Sequence, residues 1–319
     1  MRSVSTIFRR ALAVALLCAM SGASGATSPP PVAQRNADGN YEVDLLAVYT
    51  PLYESRYGGR DGTRSEVLRL VSVANQYFEN SGVAVRYRLL AAEKYTGTQE
   101  SSDGPRNLRI LTADPAIRAY RDRVGADLVA FLRTQDGVAS VELSSGFNGE
   151  DHNDPPQDVD PDRDFTAVIF SGPDGAGRRD GDWVFAHELG HNLGGGHNYK
   201  AHNQDGFYWK PYAHGTECGL LAPGQKLVSI MSYGDLHASG NLFGVAVGDV
   251  RFGTSTVTDT IEVRGDFFSS PNVQRNGMTC GSDNPGDPES KLADNARVIN
   301  EAAPYVAAYR DAKVAPLDR

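Results

Sequence analysis

The chain contains few cysteines, no run of basic residues and, after its first 26 residues, no long apolar segment. Its formal net charge is −9, and no Lys/Arg cluster offsets that charge, so we exclude nucleic acid as a partner. A membrane-spanning helix needs about 20 apolar residues, so none is expected in the main part of the chain. A hydrophobic content of 40% still permits a packed core, and 319 residues predict one large domain or two small ones.

The N-terminus has the composition of a secretory signal peptide. Arg2, Arg9 and Arg10 precede the apolar stretch ALAVALLCAM, and the small residues SGASGA follow it. An apolar stretch of about ten residues is too short to span a bilayer of about 30 Å. We therefore predict a signal peptide over residues 1–26, with an uncleaved anchor as the alternative. The expected localisation is secreted, extracellular or periplasmic, without membrane contact after cleavage.

The three cysteines divide between this predicted signal peptide and the rest of the chain. Cys18 lies within the signal peptide, which leaves Cys218 and Cys280. An even pair of cysteines in an oxidising compartment predicts one disulfide bond. Two unrelated buried thiols are the alternative.

Composition and periodicity divide the remaining chain into four parts. Residues 27–40 are rich in Pro, Asn and small residues, and we interpret them as a linker or short pro-segment. Residues 41–196 alternate between apolar strands and amphipathic helices, which predicts a mixed α/β (α+β) sheet. Residues 197–310 are rich in Gly, Asn, Ser and Asp and predict an irregular subdomain closed by a helix. Residues 311–319 form a tail.

The predicted elements follow from the spacing of apolar residues. A helix is predicted at RSEVLRLVSVANQYFEN, ended by Gly82, and another at PAIRAYRDRV. GVASVELSS, residues 137–145, predicts an edge strand, and LADNARVINEAAPYVAAYR predicts the C-terminal helix. The apolar stretches that predict buried strands are YEVDLLAVYT, VAVRYRLL, GADLVAFL and FTAVIF.

The segment DWVFAHELGHNLGGGHNYK, residues 182–200, carries three of the seven histidines. His187 and His191 are four positions apart, so on a helix they lie about 40° apart around the axis and about 6 Å along it. Both imidazoles can therefore bind one metal ion. Glu188 is rotated by about 100° from His187 and approaches the ion without being a ligand. This spacing is the HExxH arrangement of zinc peptidases.

Gly194 explains how a third histidine can join the first two. A helix that continued past His191 would carry the chain away from the metal, whereas Gly194 can adopt a left-handed conformation and end the helix. The chain can then turn back and present His197. The full pattern, H-E-x-x-H-x-x-G-x-x-H, is that of the metzincins. Three protein ligands leave one position of a zinc ion for water, as in catalytic sites.

With this pattern the chain resembles the metzincin zinc metallopeptidases, and within them the bacterial secreted reprolysin-like (adamalysin-like) group. Several segments of the chain resemble the family and occur in the same order as in its members. They are VDLLAVYTP, ANQYFENSGVAVRYRLL, RDRVGADLVAFL, FAHELGHNLGGGH, SIMSYG, FFSSPNV and ADNARVINEAAPYVAAYR. The resemblance covers about residues 41–310 and implies a metzincin catalytic domain with a mixed, twisted sheet and an active-site helix. The chain departs from related groups at Asn198, where they usually carry Glu or Asp.

The resemblance also implies roles for residues after the third histidine. Family members have a tight methionine-containing turn beneath the zinc, so Met231 is expected there, with ordinary core packing as the alternative. Tyr233 would reach the zinc or stabilise the oxyanion, or else serve as a structural residue of the turn. His202, His214 and His237 have no ligand spacing and are predicted to be surface or structural residues.

The function implied is that of a secreted zinc-dependent endopeptidase, a monomer acting on protein or peptide substrates. His187, His191 and His197 would hold one Zn²⁺, and Glu188 would be the general base. A substrate strand would pair with the edge strand GVASVELSS. One alternative is a zinc-binding adhesion or toxin-like module of peptidase ancestry with negligible turnover, and another is a hydrolase of cell-wall peptide cross-links.

Two acidic stretches, GEDHNDPPQDVDPDRD and SDNPGDPESKLADN, are candidates for binding Ca²⁺. Neither has the glycine and glutamate positions of an EF-hand loop. We therefore predict solvated loops, with calcium binding as the weaker alternative.

Overall fold

The computed structural model describes residues 31–97, 110–134, 165–170, 181–199, 210–232, 261–286 and 292–317. The predicted signal peptide, the predicted edge strand at 137–145 and the first acidic stretch lie outside these ranges. So do Tyr233, His202 and His237. Of the predicted linker and tail, residues 31–40 and 311–317 are described.

A four-stranded sheet forms the centre of the N-terminal part, in the order β2-β1-β3-β4, and every neighbouring pair is parallel. Residues 43–49 of β1 are all buried, which explains why this strand is a nearly continuous apolar run. The strands of this sheet are β1 (Tyr41–Tyr49), β2 (Val85–Lys94), β3 (Leu128–Thr134) and β4 (Phe165–Phe170).

Helices cover both faces of this sheet. α2, α4 and α5 pack into one core with the side chains of Val43, Leu45 and Ala47, whereas α3 packs on the opposite face against Leu46 and Val48. No helix in the described ranges is long and apolar enough to cross a membrane. The helices are α1 (Pro51–Arg56), α2 (Arg60–Asn80), α3 (Pro115–Val124), α4 (Gly181–Asn192) and α5 (Asn295–Val306).

Local sequence explains where these helices begin and end. The Asp114 side chain accepts a hydrogen bond from the Ala116 N–H at the start of α3, and Pro115 occupies the first turn. Gly125 ends α3 with φ +77°, and Gly82 follows α2 with φ +70°. The α/β (α+β) class and its alternation of strands and helices are confirmed.

The C-terminal part contains more regular structure than the sequence predicted. Besides α5, five short strands in the described residues form a three-stranded sheet, β5-β6-β7, and a hairpin, β8-β9. They were not predicted because each has at most six residues and because register shifts and Gly219, with φ +143°, interrupt the alternation. The strands are β5 (Glu217–Ala222), β6 (Gln225–Val228), β7 (Ile261–Arg264), β8 (Ser270–Arg275) and β9 (Met278–Cys280).

The described segments before β1 and after α5 pack against the elements between them. The Ala33 N–H donates to the Pro304 carbonyl at 2.7 Å, which attaches the described part of the predicted linker to α5. In the predicted tail, the Leu317 N–H donates to the Leu89 carbonyl of β2 at 2.7 Å. Because β2 is an outer strand of the described sheet, this contact covers part of its edge.

The predicted disulfide bond is present between Cys218 of β5 and Cys280 of β9. It lies in a small core of its own with Leu227, Phe267 and Val273, separate from the cores that cover the main sheet. The bond therefore links the two small sheets of the C-terminal part.

Replacing Cys218 and Cys280 together by alanine should lower the free energy of unfolding by about 4 kcal/mol, because the bond closes a loop of sequence separation 62. Urea denaturation of the oxidised protein and of the variant measures this difference. The main sheet should keep its structure, since the disulfide core is separate from the two cores that cover that sheet. Equal stability of the two proteins would contradict the stabilising role of the bond.

Candidate metal centre

The position of α4 is fixed at its first turn by Arg69 of α2. The guanidinium binds Asp182 of α4, with Nη1 donating to Oδ2 at 3.0 Å, and it also binds Glu66 at 2.8 Å. Hydrogen bonds to Glu66 and to Asp182 raise the pKa of Arg69, so the guanidinium stays charged. Further along, the Tyr87 hydroxyl of β2 donates to the Leu189 carbonyl at 3.3 Å. These contacts hold the histidine helix against α2 and the sheet.

The end of α4 turns the chain back toward the histidines. Gly194 has φ +81°, and its N–H donates to the His191 carbonyl at 2.9 Å. The Gly195 N–H donates to the Gly190 carbonyl, also at 2.9 Å. These two bonds form a Schellman motif, which requires a residue such as glycine in the left-handed conformation. The reversal allows His197 to approach the helix that it has just left.

The three histidines meet through their Nε2 atoms. The Nε2 separations are 3.0 Å between His187 and His191, 2.9 Å between His191 and His197, and 3.1 Å between His187 and His197. All three side chains are buried. In the part of the chain that the structure describes, no other group of three or more His, Cys, Asp or Glu side chains is arranged to hold a metal ion.

Backbone carbonyls determine which nitrogen of each helical histidine carries the proton. The His187 Nδ1 lies 2.9 Å from the Ile230 carbonyl, and the His191 Nδ1 lies 2.7 Å from the Gly195 carbonyl. A carbonyl oxygen only accepts, so both Nδ1 atoms donate and both Nε2 atoms present lone pairs to the centre of the cluster. Lone pairs that converge in a buried space repel one another unless a cation lies between them.

The donor set fits zinc. Imidazole nitrogens bound to one tetrahedral Zn²⁺ at about 2.0–2.1 Å lie about 3.3 Å from one another. The observed Nε2 separations of 2.9 to 3.1 Å are close to that value. Ligating histidines usually donate their second ring N–H to a carbonyl or carboxylate, as His187 and His191 do here.

Met231 lies in a tight turn beneath α4. The Ser232 N–H donates to the Ser229 carbonyl at 3.0 Å and closes the turn, and Met231 is fully buried. A Cβ on Gly190 would lie 3.2 Å from the Met231 sulfur and 2.5 Å from Phe268 Cε1. A glycine at position 190 therefore lets the turn approach the helix closely enough for the Ile230 carbonyl to reach His187.

Asn295, the first residue of α5, positions the loop that carries the third histidine. Its Oδ1 accepts from the Gly196 N–H at 2.9 Å, and its Nδ2 donates to the Gly196 carbonyl at 2.9 Å. Asn295 is fully buried. The stretch ADNARVINE that contains it was recognised as a helix, but no motif spacing connects this residue with a glycine 99 positions earlier.

A second contact holds the backbone carbonyl of His197. The Nδ1 of His214 lies 3.1 Å from the His197 carbonyl, and His214 is buried, so this histidine supports the site from outside the triad. Ser269 connects both supports, because its hydroxyl accepts from the Asn295 N–H at 3.1 Å and donates to the His214 carbonyl. The third histidine thus depends on residues from the C-terminal part.

Glu188 and Asn198 complete the described residues of the motif. Glu188 is buried in α4 next to His187, with 1% of its surface exposed. Asn198 directly follows His197 and is also buried. Tyr233 lies outside the described residues, and its role as an oxyanion donor stays a prediction.

Comparison with known proteins shows which protein family this chain resembles. The sequence model of the metallo-peptidase family M12B, reprolysin-like, matches residues 41–243. A peptidyl-Asp metalloendopeptidase of Pseudomonas aeruginosa is 27% identical in an alignment of 281 residues that covers 85% of this chain. The chain spans 41% of the length of that relative.

A solved structure also resembles the fold. It is described as the structure of a chaperone-substrate complex, and it matches with a TM-score of 0.55 at 18% identity. The match covers 87% of this chain and 37% of the other. At that identity the likeness shows the fold alone.

Asn295→Asp should weaken zinc binding about 10- to 100-fold, because a carboxylate oxygen would replace the Nδ2 donor opposite the Gly196 carbonyl. Titration with a competing chelator measures the affinity. Asn300→Asp is the matched control, since Asn300 lies on the same helix and binds the backbone at Ala84 and Gly82 rather than the histidine loop. Equal zinc affinity of both variants would show that Asn295 does not position the site.

Proposed function

We propose that this chain, which belongs to the reprolysin-like family M12B of metallo-peptidases, is an exported zinc metalloendopeptidase with Glu188 as its general base. The observation that carries the proposal is the convergence of three buried Nε2 atoms within 3.1 Å of one another, together with the burial of Glu188, the residue that follows the first of these histidines on the same helix. An acid–base group and a metal centre in the same buried site are the two components of metal-assisted hydrolysis.

His187, His191 and His197 are the proposed ligands. A zinc ion held there supplies a Lewis acid and lowers the pKa of water to about 7. The backbone bonds of His187 and His191 keep each Nδ1 protonated and each Nε2 available as a donor to the metal. The Ile230 and Gly195 carbonyls therefore orient the ligands, and the buried position of α4 limits the access of bulk water.

Glu188 is proposed to move the proton. It follows His187 on α4, so its side chain leaves the helix about 100° away from the ligand and serves the reaction without occupying a ligand position. Its carboxylate would accept a proton from the attacking water and later donate it to the leaving amine. A buried site strengthens these charge interactions because the local dielectric constant is low.

Two observations support export. Residues 1–26 have the basic, apolar and small-residue order of a signal peptide. The bond between Cys218 and Cys280 is of a kind that persists in oxidising compartments such as the periplasm or the extracellular space.

We further propose that the substrate is a peptide with aspartate beside the cleaved bond. The support is the name of the Pseudomonas aeruginosa relative, a peptidyl-Asp metalloendopeptidase, and the share of this chain that the relative matches. A non-catalytic zinc-binding module is not favoured, because such a module would have no chemical need for the carboxylate at Glu188.

Glu188→Gln and His187→Ala should separate the two roles in the site. Glu188→Gln should keep zinc while losing about 10²- to 10⁴-fold in turnover, because glutamine cannot accept the proton. His187→Ala should lose the metal itself, since it removes a ligand. Zinc analysis and peptide cleavage by each purified protein measure both effects.

Glu93→Gln is the matched control for that experiment. Glu93 lies on β2 and pairs with Arg60 at the surface, so its substitution should change neither zinc content nor turnover. Near-full activity of Glu188→Gln would contradict the proposed role of the general base. A zinc-loaded wild type that cleaves no peptide in a broad library would favour the non-catalytic module.

A further inference from the structure

We propose that the bond between Cys218 and Cys280 couples the oxidation state of the chain to its affinity for zinc, so that the histidine cluster holds the metal tightly only after the bond has formed. The inference rests on the proposed function, because it takes zinc as the metal and an oxidising compartment as the destination of the protein. It gives the disulfide a role in metal binding in addition to its role in stability.

Cys218 follows a short segment that contacts the loop of the third histidine. The Gly215 N–H donates to the Gly196 carbonyl at 2.9 Å, and the Nδ1 of His214 lies 3.1 Å from the His197 carbonyl. Both contacts come from the residues that lead directly into β5. A displacement of β5 therefore acts on the backbone of the third ligand.

The same segment supports the turn that orients the first histidine. The Thr216 N–H donates to the Ser229 hydroxyl at 2.9 Å, and the Ser229 N–H donates back to the Thr216 carbonyl at 2.9 Å. Ser229 precedes Ile230, whose carbonyl lies 2.9 Å from the Nδ1 of His187. The position of this carbonyl is thus linked to Cys218 through a reciprocal pair of hydrogen bonds.

Cys280 lies beside the segments that hold the remaining support of the cluster. It is paired with the first residue of β8, directly after Ser269, whose hydroxyl accepts from the Asn295 N–H at 3.1 Å. Beyond Cys280, Ser282 and Ala293 are joined by two backbone hydrogen bonds of 3.0 and 2.7 Å, just before α5 begins. Asn295 therefore receives its position from both sides of the Cys280 strand.

The disulfide joins these two supports across a small core. Besides Cys280, the buried side chains of that core in the described residues are those of Leu227, Phe267 and Val273. A core with so few buried apolar side chains resists local opening weakly. The bond therefore limits the separation of β5 from β9, and with it the separation of the segments that position the histidines.

Both ends of this bridge act on the outer contacts of the ligands rather than on the ligands themselves. Imidazole nitrogens that present lone pairs to one another repel, so the cluster depends on those contacts to stay arranged for a metal ion. Outer contacts of this kind typically contribute about 10- to 100-fold to metal affinity. Loss of the bond should weaken zinc binding by about that factor, with all three ligands still present.

The redox step is an ordinary thiol–disulfide exchange. Two molecules of glutathione supply two electrons and two protons, which gives the thiols of Cys218 and Cys280 and one molecule of glutathione disulfide. Cytoplasmic compartments keep protein thiols reduced, whereas export leads to compartments where disulfides persist. The chain thus holds zinc weakly before export and tightly afterwards, which delays proteolysis until the enzyme has left the compartment in which it is made.

The first test compares the zinc affinity of the oxidised wild type with that of a variant carrying both Cys218→Ala and Cys280→Ala, by competition with a chelator. The variant lacks the two thiols that reduction would expose, and it should bind zinc about 10- to 100-fold more weakly. Circular dichroism shows whether it is folded. Equal zinc affinity of the folded variant and the wild type would overturn the inference.

Ile117→Ala is the matched control for that comparison. Ile117 is buried in the core on the opposite face of the main sheet, so its truncation destabilises the fold without touching the supports of the histidines. It should keep the wild-type affinity for zinc. A loss of affinity equal to that of the cysteine variant would attribute the effect to general destabilisation and overturn the inference.

A second measurement decides the question if the cysteine variant does not fold. By thermodynamic linkage, a bond that raises the affinity for zinc is itself stabilised by zinc, by the same factor. The equilibrium constant for reduction of the wild-type bond by glutathione should therefore fall about 10- to 100-fold at saturating zinc. An equilibrium constant that zinc leaves unchanged would contradict the coupling.

Peptide cleavage by the same proteins separates this inference from the proposed function. Weaker zinc binding without the bond, in a protein whose oxidised form cleaves no peptide of a broad library, would support the coupling and contradict the peptidase. Peptide cleavage by the oxidised protein, with equal zinc affinity in both redox states, would overturn the coupling and leave the peptidase function intact.

Discussion

The close approach of the Nε2 atoms of His187, His191 and His197 constrains the rest of the structure. Three imidazole nitrogens within 3.1 Å of one another repel when at least two of them present lone pairs, so the protein must hold them in place until a cation is bound. The carbonyls of Ile230 and Gly195 fix the rings of the two helical histidines, and those carbonyls are themselves held by turns.

This constraint explains the arrangement of elements around α4. The helix lies between α2 and the parallel sheet, with Arg69 at its first turn and the Schellman motif at its last. The methionine turn approaches from below because Gly190 leaves room for Met231 and Phe268. The C-terminal part positions the third histidine through Asn295 and contains a disulfide bond in a separate core.

The parts of the site that could be predicted from the sequence are those determined by local geometry. The spacing of His187 and His191 follows from the pitch of one helix, and the turn at Gly194 follows from the conformation that glycine permits. Asn295 and His214 could not be predicted in the same way, because they support the loop across long separations in sequence. The short strands of the C-terminal part were missed for a related reason, since long-range pairing rather than periodicity defines them.

The central claim is that three imidazoles bind one zinc ion, and X-ray absorption at the zinc edge of the purified protein tests it most directly. The account predicts one zinc per chain, with nitrogen and oxygen neighbours at about 2.0–2.1 Å and outer-shell scattering from three imidazole rings. A sulfur neighbour at about 2.3 Å would contradict it, because neither Met231 nor the bonded cysteines is a ligand in this arrangement. A fit that required fewer than three imidazoles in the folded protein would contradict it equally.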